Sequence, residues 1–214
     1  MAEVAAKKPQ AQKSSRTRSI AFIALSIAVM AVSAWIVVPL GPIPFTLQMF
    51  AMTFAIVVLS PVEAVCAVSG YLVLGAIGVP VFSSMRGGIG VLMGPTGGFL
   101  WGYFFGVVAG VALLWVVRRA RGDRALTERR PDPTHVKGAS RALVFLRNFG
   151  FEMLAGVLFT AVAYLCGWFQ YQIVAGADPV QAFLVCCAPF IGLDLCKIFA
   201  AVLVAEAVRK AVGR

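Results

Sequence analysis

Residues 189–208 read PFIGLDLCKIFAAVLVAEAV, and the reading of this stretch decides what kind of protein the chain is. Asp194 and Lys197 stand in a run otherwise fit for hydrocarbon. A charge at the centre of a membrane helix costs roughly 2.5–3.5 kcal/mol on insertion scales, so charges kept there usually face a cavity or a partner. If the helix runs unbroken from Pro179, Asp194 lies deep in a bilayer. If Pro189 and Gly192 break it, residues 192–208 rise about 25 Å, close to one hydrocarbon thickness. Proline suits a first helical turn and disrupts an interior, which favours the break. Asp194 then falls at a helix N-terminus, where free N–H groups and the dipole favour an anion. Lys197, three residues on, shares its face.

The whole composition agrees with a membrane setting. Of 214 residues, 60% are hydrophobic and 13% charged, and the mean hydropathy is +0.89. A soluble domain carries about 25% charged residues. The net charge of +10 does not mark a nucleic-acid surface, because it is clustered. Lys7, Lys8, Lys13, Arg16 and Arg18 precede the first apolar run, a second basic cluster lies between Arg118 and Arg141, and Arg209, Lys210 and Arg214 close the chain. Basic residues at the ends of apolar segments follow the positive-inside rule. The expected fold is an all-α integral membrane protein with six transmembrane helices, near 19–38, 46–60, 62–78, 96–117, 146–168 and from the 189–192 break to about 208. Both termini are cytoplasmic in this reading, as is the basic loop 118–141. Residues 1–18 form a disordered basic tail, and 19–210 a single membrane domain. The run 20–38 is too long for a signal-peptide core.

The outer connections, 39–45, 79–95 and 169–188, carry one basic residue, Arg86, and the first two are rich in Gly and Pro. The second holds Val79, Val81, Phe82, Ile89, Val91 and Met93, which disfavour water, so it reads as a binding loop more readily than a solvated turn. The five cysteines lack metal-ligand spacing and read as small buried hydrophobes. The one histidine, His135, lies in a polar stretch, which speaks against a histidine-based metal site. No P-loop, G-x-S-x-G, H-E-x-x-H or C-x-x-C pattern occurs, and GGIGVLMG is out of step with a dinucleotide fingerprint. These absences point away from an enzyme and call for no cofactor. The alternative is a small membrane enzyme using Asp194 and Lys197 as acid and base on an acidic substrate.

Three blocks in order, GPIPFTLQ (41–48), GYLVLGAIGVPVF…GGIGVLMGPTGGF (70–99) and PFIGLDLCK (189–197), resemble the BioY family, over roughly residues 19–210. Its members are the biotin-binding membrane subunits (S components) of energy-coupling-factor transporters. The resemblance implies six helices, an outward-facing biotin site, a transmembrane coupling subunit and ATP-binding-cassette ATPases as partners, and a bacterial plasma membrane. The chain departs from the family pattern in having Gly192-Leu193-Asp194 for Pro-Gly-Asp, Phe99 for Tyr, and LSPVEA for Gly-Pro-x-x-Gly.

Biotin carries two ureido N–H donors, a carboxylate and an apolar ring and tail. Asp194 suits the ureido donors, and Lys197 and Arg86 compete for the ligand carboxylate. A structural Asp194–Lys197 ion pair is the competing reading. Gln48 adds a hydrogen bond or caps helix 2. Tyr71, Phe45, Phe82, Phe99 and Trp101 wall the rings or pack in the membrane, and Thr96 of GPTGG joins the candidate binding residues. Glu206 with Arg209 and Lys210 reads as an interfacial helix-end group, and Glu152 as structural. Ala21, Ala24, Ala28 and Ala31 form a small-residue stripe on helix 1, equally suited to internal packing or to a partner. The resemblance assigns Ala24 and Ala28 to the coupling-subunit interface.

Overall fold

The computed structural model describes residues 8–38, 43–120 and 139–212. Helix α1 spans Lys8–Trp35. Strands β1 (Val37–Val38) and β2 (Phe45–Thr46) form a small antiparallel pair, with Val37 opposite Thr46 and Val38 opposite Phe45. Then come α2 (Gln48–Val58), α3 (Pro61–Ala76), a 3-10 turn at Ser83–Met85, α4 (Ile89–Met93), α5 (Gly97–Ala120), α6 (Ala139–Ala175), α7 (Pro179–Cys186) and α8 (Ile191–Val212).

Three stretches, Arg16–Trp35, Gly97–Ala120 and Phe145–Ala175, are long and apolar enough to cross a bilayer. The pair Pro179–Cys186 and Ile191–Arg209, bent by 42°, makes a fourth. Helices α2 and α3, of 11 and 16 residues, are apolar but shorter than a full span. Large apolar side chains on the long helices point away from the protein, among them Ile20, Leu25, Phe105, Leu165 and Ile173. Such a surface is stable against lipid and not against water. This is a multi-pass helical membrane protein.

The break in the last span is present. The chain leaves α7 at Cys186 and restarts at Ile191, with Asp194 in the first turn of α8, its N–H donating to Phe190 O at 2.8 Å. Other boundaries differ from the sequence reading. Helix α1 begins at Lys8, inside the segment read as a disordered tail. Ala, Gln, Lys and Arg there are good helix formers, and a membrane helix already present removes the nucleation cost. It stops at Trp35 because Val37–Val38 pair with β2. Helix α6 runs from Ala139 to Ala175, so the connection expected over 169–188 shrinks to residues 176–178. Nothing breaks the helix before Gly176, whose φ of +61° ends it. Asp178 then caps α7 by accepting from the Val180 and Gln181 N–H groups, with Pro179 at the first helical position. Most of the basic loop 118–141 lies outside the described residues.

Helices α5 and α6 approach closely through a row the sequence analysis overlooked. Gly98, Gly102, Gly106 and Gly110 recur every four residues along α5 and lie against Cys166, Ala163, Phe159 and Ala155 of α6. A Cβ on Gly102 would sit 2.6 Å from Ala163 Cα, so the backbones could not stay where they are. Gly102→Leu is therefore expected to abolish the monodisperse peak on size exclusion in detergent. A normal peak with native thermal stability would refute this packing.

At the end of the bundle remote from the α7–α8 break, Ser60 and Glu63 form a capping box at the start of α3, and Ser19 of α1 donates to Glu63 at 2.6 Å. Near the same end, Arg209 of α8 is buried, 6% exposed. It bonds both oxygens of Glu152 on α6 (2.9 and 3.0 Å), the Val57 carbonyl of α2 (3.1 Å) and Glu206 (2.9 Å). The expected interfacial group of Glu206 and Arg209 is thus a cluster that joins three helices, with the buried Arg209 at its centre and Glu152 as its bidentate partner. Of the cysteines, Cys186 and Cys187 are buried as expected, whereas Cys66 and Cys196 are exposed.

Candidate ligand cavity

The β1–β2 pair, the 79–96 loop and the α7–α8 break meet at one end of the bundle. Between them opens a cavity of roughly 620 Å³, counting the open solvent at its mouth. Ile43, Pro44, Val91, Leu100 and Phe190 give it an apolar wall, and Phe45 stacks on Phe190 with ring centres 5.9 Å apart.

Asp194 reaches this cavity from the first turn of α8 and is 3% exposed. Lys197 donates to its Oδ1 at 2.7 Å, and the Tyr164 hydroxyl donates to its Oδ2 at 2.5 Å. Lys197 also donates to the Thr46 carbonyl at 2.7 Å, and its Nζ lies 3.4 Å from the centre of the Phe45 ring. An ammonium has three N–H donors. Two carboxyl and carbonyl acceptors and one ring face engage all of them, and Lys197 is not among the cavity-lining residues. It stands behind Asp194 and joins α8 to β2.

The 79–96 loop is packed onto the bundle. Gly88 N donates to Gly75 O (2.6 Å), Trp35 Nε1 to Pro80 O (2.8 Å), and Gln170 Nε2 to both Leu92 O and Gly94 O (2.8 Å each). A Cβ on Gly75 would fall 2.0 Å from the Phe82 ring, so a bare backbone there lets Phe82 turn inward. Positive φ at Ser84 and Met85 then reverses the chain, and Phe82 N–H donates to Arg86 O at 2.9 Å. The result carries Phe82, Ser83 and Arg86 to the cavity, with Arg86 exposed at its edge.

The other expected site residues divide. Phe45, Gln48, Phe82, Arg86, Thr96, Phe99 and Asp194 line the cavity together. Tyr71 does not: it is fully buried, and its hydroxyl accepts from Gln48 Nε2 (2.6 Å) and donates to Val81 O (3.0 Å), bracing Gln48 against the loop. Gln48 Oε1 in turn accepts from Thr46 Oγ1 at 3.0 Å. Trp101 is 40% exposed and lies away from the cavity. Residues two apart on a helix point about 200° from each other, so Phe99 inward requires Trp101 outward, and Tyr103 takes the inward place one turn on. The sequence analysis missed Tyr164, Thr46, Tyr103, Phe190 and Cys186. Tyr164 carried only a faint signal, a polar tip inside an apolar helix thirty residues from Asp194 in sequence.

On the first helix, Ala21, Ala24 and Ala28 are exposed and Ala31 is buried. The stripe therefore packs internally only at its α1 C-terminal end.

Fold and cavity together define a helical membrane protein with a cavity at one end of its bundle, into which a buried carboxylate, Asp194, reaches among apolar and aromatic side chains. The chain belongs to the BioY family, whose model matches residues 7–214. It is 33% identical over 184 residues to the biotin transporter BioY of Thermotoga maritima, covering 86% of this chain and 90% of that one. It is 30% identical over 191 residues to a probable biotin transporter BioY of Pyrococcus horikoshii, covering 89% and 96%. Its fold matches the crystal structure of an S-component for biotin from an ECF-type ABC transporter, with a TM-score of 0.72 at 19% identity, over 92% of this chain and 93% of the other.

Proposed function

We propose that this chain captures biotin at the outer face of a bacterial plasma membrane, as the substrate-binding subunit of an ECF-type transporter. One observation carries the reading. The cavity places a buried carboxylate, Asp194, and an edge guanidinium, Arg86, around an aromatic and apolar box. Biotin has the complementary order: N–H donors at the ureido ring, an apolar middle, and a carboxylate at the tail. The names of the two relatives support this reading. Lys197 holds Asp194 in place, and Arg86 meets the ligand carboxylate. The enzyme alternative has no support, because Lys197 is fully engaged and does not reach the cavity. Titrating detergent-purified protein with biotin tests the function. Saturable binding with unaltered biotin recovered is expected; folded protein that ignores biotin, or converts it, overturns the proposal.

In the bilayer all six main helical segments cross, α2 and α3 being completed by the β1–β2 pair and the turns that flank them. The Arg118–Arg119 end of α5 and the Arg209 end of α8 face the cytoplasm by the positive-inside rule. A cysteine placed at position 86, in a chain otherwise free of cysteine, is expected to react with an impermeant maleimide on intact cells, and one at position 130 is not. The opposite pattern would show the reverse orientation.

The chain has no nucleotide-binding loop, so uptake needs partner ATPases and a coupling subunit. The exposed Ala24 and Ala28 are assigned to that contact. Ala24→Trp and Ala28→Trp should retain biotin binding, since α1 reaches the cavity region only at its far end, while losing co-purification with the coupling module. Unchanged assembly in both variants would move the interface elsewhere.

A further inference from the structure

We propose that the Tyr103 hydroxyl is the hydrogen-bond donor this cavity offers to the ligand's carbonyl oxygen, which makes Tyr103 a specificity-determining residue; the proposal rests on the biotin reading above. Tyr103 stands on α5 one turn further into the bundle than Phe99, and it lines the cavity while being only 5% exposed. Its ring packs on Phe159, with centres 6.0 Å apart, so a phenylalanine would fill the same place. Its hydroxyl bonds none of the described residues. A buried polar group left unbonded costs free energy, so one that opens on a cavity is suited to a ligand. The unbonded hydroxyls of Thr53, Ser83 and Thr160 are sealed inside the protein and meet no ligand. That of Tyr103 is not sealed. It opens on the cavity that also holds Asp194, close enough for the charge of the carboxylate to act on it.

A donor is what this end of the cavity otherwise lacks. Asp194 only accepts, and Tyr164 has given its one O–H to Asp194. The donors of Lys197 are taken by Asp194, Thr46 and the Phe45 ring. Gln48 retains one N–H, but on the side of the 79–96 loop, where Tyr71 joins it to Val81 O. In a cyclic urea the carbonyl oxygen lies beside each N–H. One N–H seated on Asp194 therefore brings that oxygen to the same end of the cavity, where burial without a partner would cost the desolvation of a strong acceptor. Tyr103 supplies the partner. Carboxylate and phenol together read a donor and an acceptor placed side by side on the ligand.

The test crosses one substitution with three ligands in detergent-purified protein: biotin, desthiobiotin and 2-thiobiotin. Desthiobiotin keeps the urea and lacks the ring sulfur. In 2-thiobiotin a sulfur replaces the urea oxygen and accepts hydrogen bonds far less well. Tyr103→Phe should weaken biotin and desthiobiotin alike, by about tenfold, and 2-thiobiotin by about twofold or less. The unfolding temperature of the empty protein should not fall, because the hydroxyl bonds nothing in the fold; a fall would show it bonded within the protein and overturn the proposal. If wild type does not bind biotin at all, the underlying functional reading fails. If it does, and Tyr103→Phe binds biotin as tightly, Tyr103 is no donor to the ligand. A loss for biotin without one for desthiobiotin puts the hydroxyl on the ring sulfur, and an equal loss for all three ligands is an effect of packing; either refutes the proposal. Should Tyr103→Phe not fold, the wild type decides: 2-thiobiotin held as tightly as biotin leaves no place for a donor at the carbonyl.

Discussion

Asp194→Asn is expected to weaken biotin binding by about 2–5 kcal/mol, roughly thirtyfold to several thousandfold. The substitution keeps the size of the side chain and one acceptor oxygen. It removes the charge and replaces one oxygen with a donor, which then faces either the Tyr164 hydroxyl or the Lys197 ammonium, both donors already. Lys197, 8% exposed, is left with no counter-charge in the bonds described for it. The side chain at 194 then carries a donor where the carboxylate could only accept. Arg86→Ala should do less, about tenfold, because an exposed guanidinium is screened by water and salt, and the loss should shrink as ionic strength rises. Calorimetric titration of both variants, with thermal unfolding as a control for folding, measures this. Wild-type affinity in folded Asp194→Asn would remove Asp194 from the site.

Glu152→Leu is expected to destabilise the protein by about 3–5 kcal/mol without touching the cavity, since it strands a buried cation. Glu152 is fully buried and offers both oxygens to Arg209, whose other contacts are Val57 O and Glu206. Glu206 balances the charge in part, but its geometry is single and its side chain lies nearer the surface. The double variant Glu152→Leu, Arg209→Leu removes both charges and should recover most of the loss, because well-packed apolar groups often match or exceed a buried ion pair. Thermal unfolding of the two single variants and the double variant in one detergent gives the coupling. Additive losses in the double variant would show that the pair does not act as a unit.

Both pairs of charges hold α8 to α2. Lys197 donates to Thr46 O just ahead of α2, and Arg209 donates to Val57 O in its last turn. The second carbonyl is one that a helix end leaves without an intrahelical partner. A short helix flanked by irregular backbone is thereby satisfied from its neighbour, as hydrocarbon requires.

The amino-acid sequence determined the membrane class, the break before Asp194, and seven of the residues that line the cavity. These are local matters. Hydropathy is a property of composition, proline and glycine act on their own turn, and a charge in an apolar run announces itself. Tertiary structure decided which of these residues share a surface and in what state. Lys197 reads from sequence as a free ligand for a carboxylate, and only the arrival of Thr46 O and the Phe45 ring from β2 shows that its donors are taken. Trp101 and Phe99 look alike in sequence until the rotation of α5 is set, and that rotation follows from the glycine row packing on α6. Tyr164 and Glu152 owe their roles to partners 30 and 57 residues away. A hydrogen bond forms between atoms brought within 3 Å by packing, and no spacing along the chain encodes that approach.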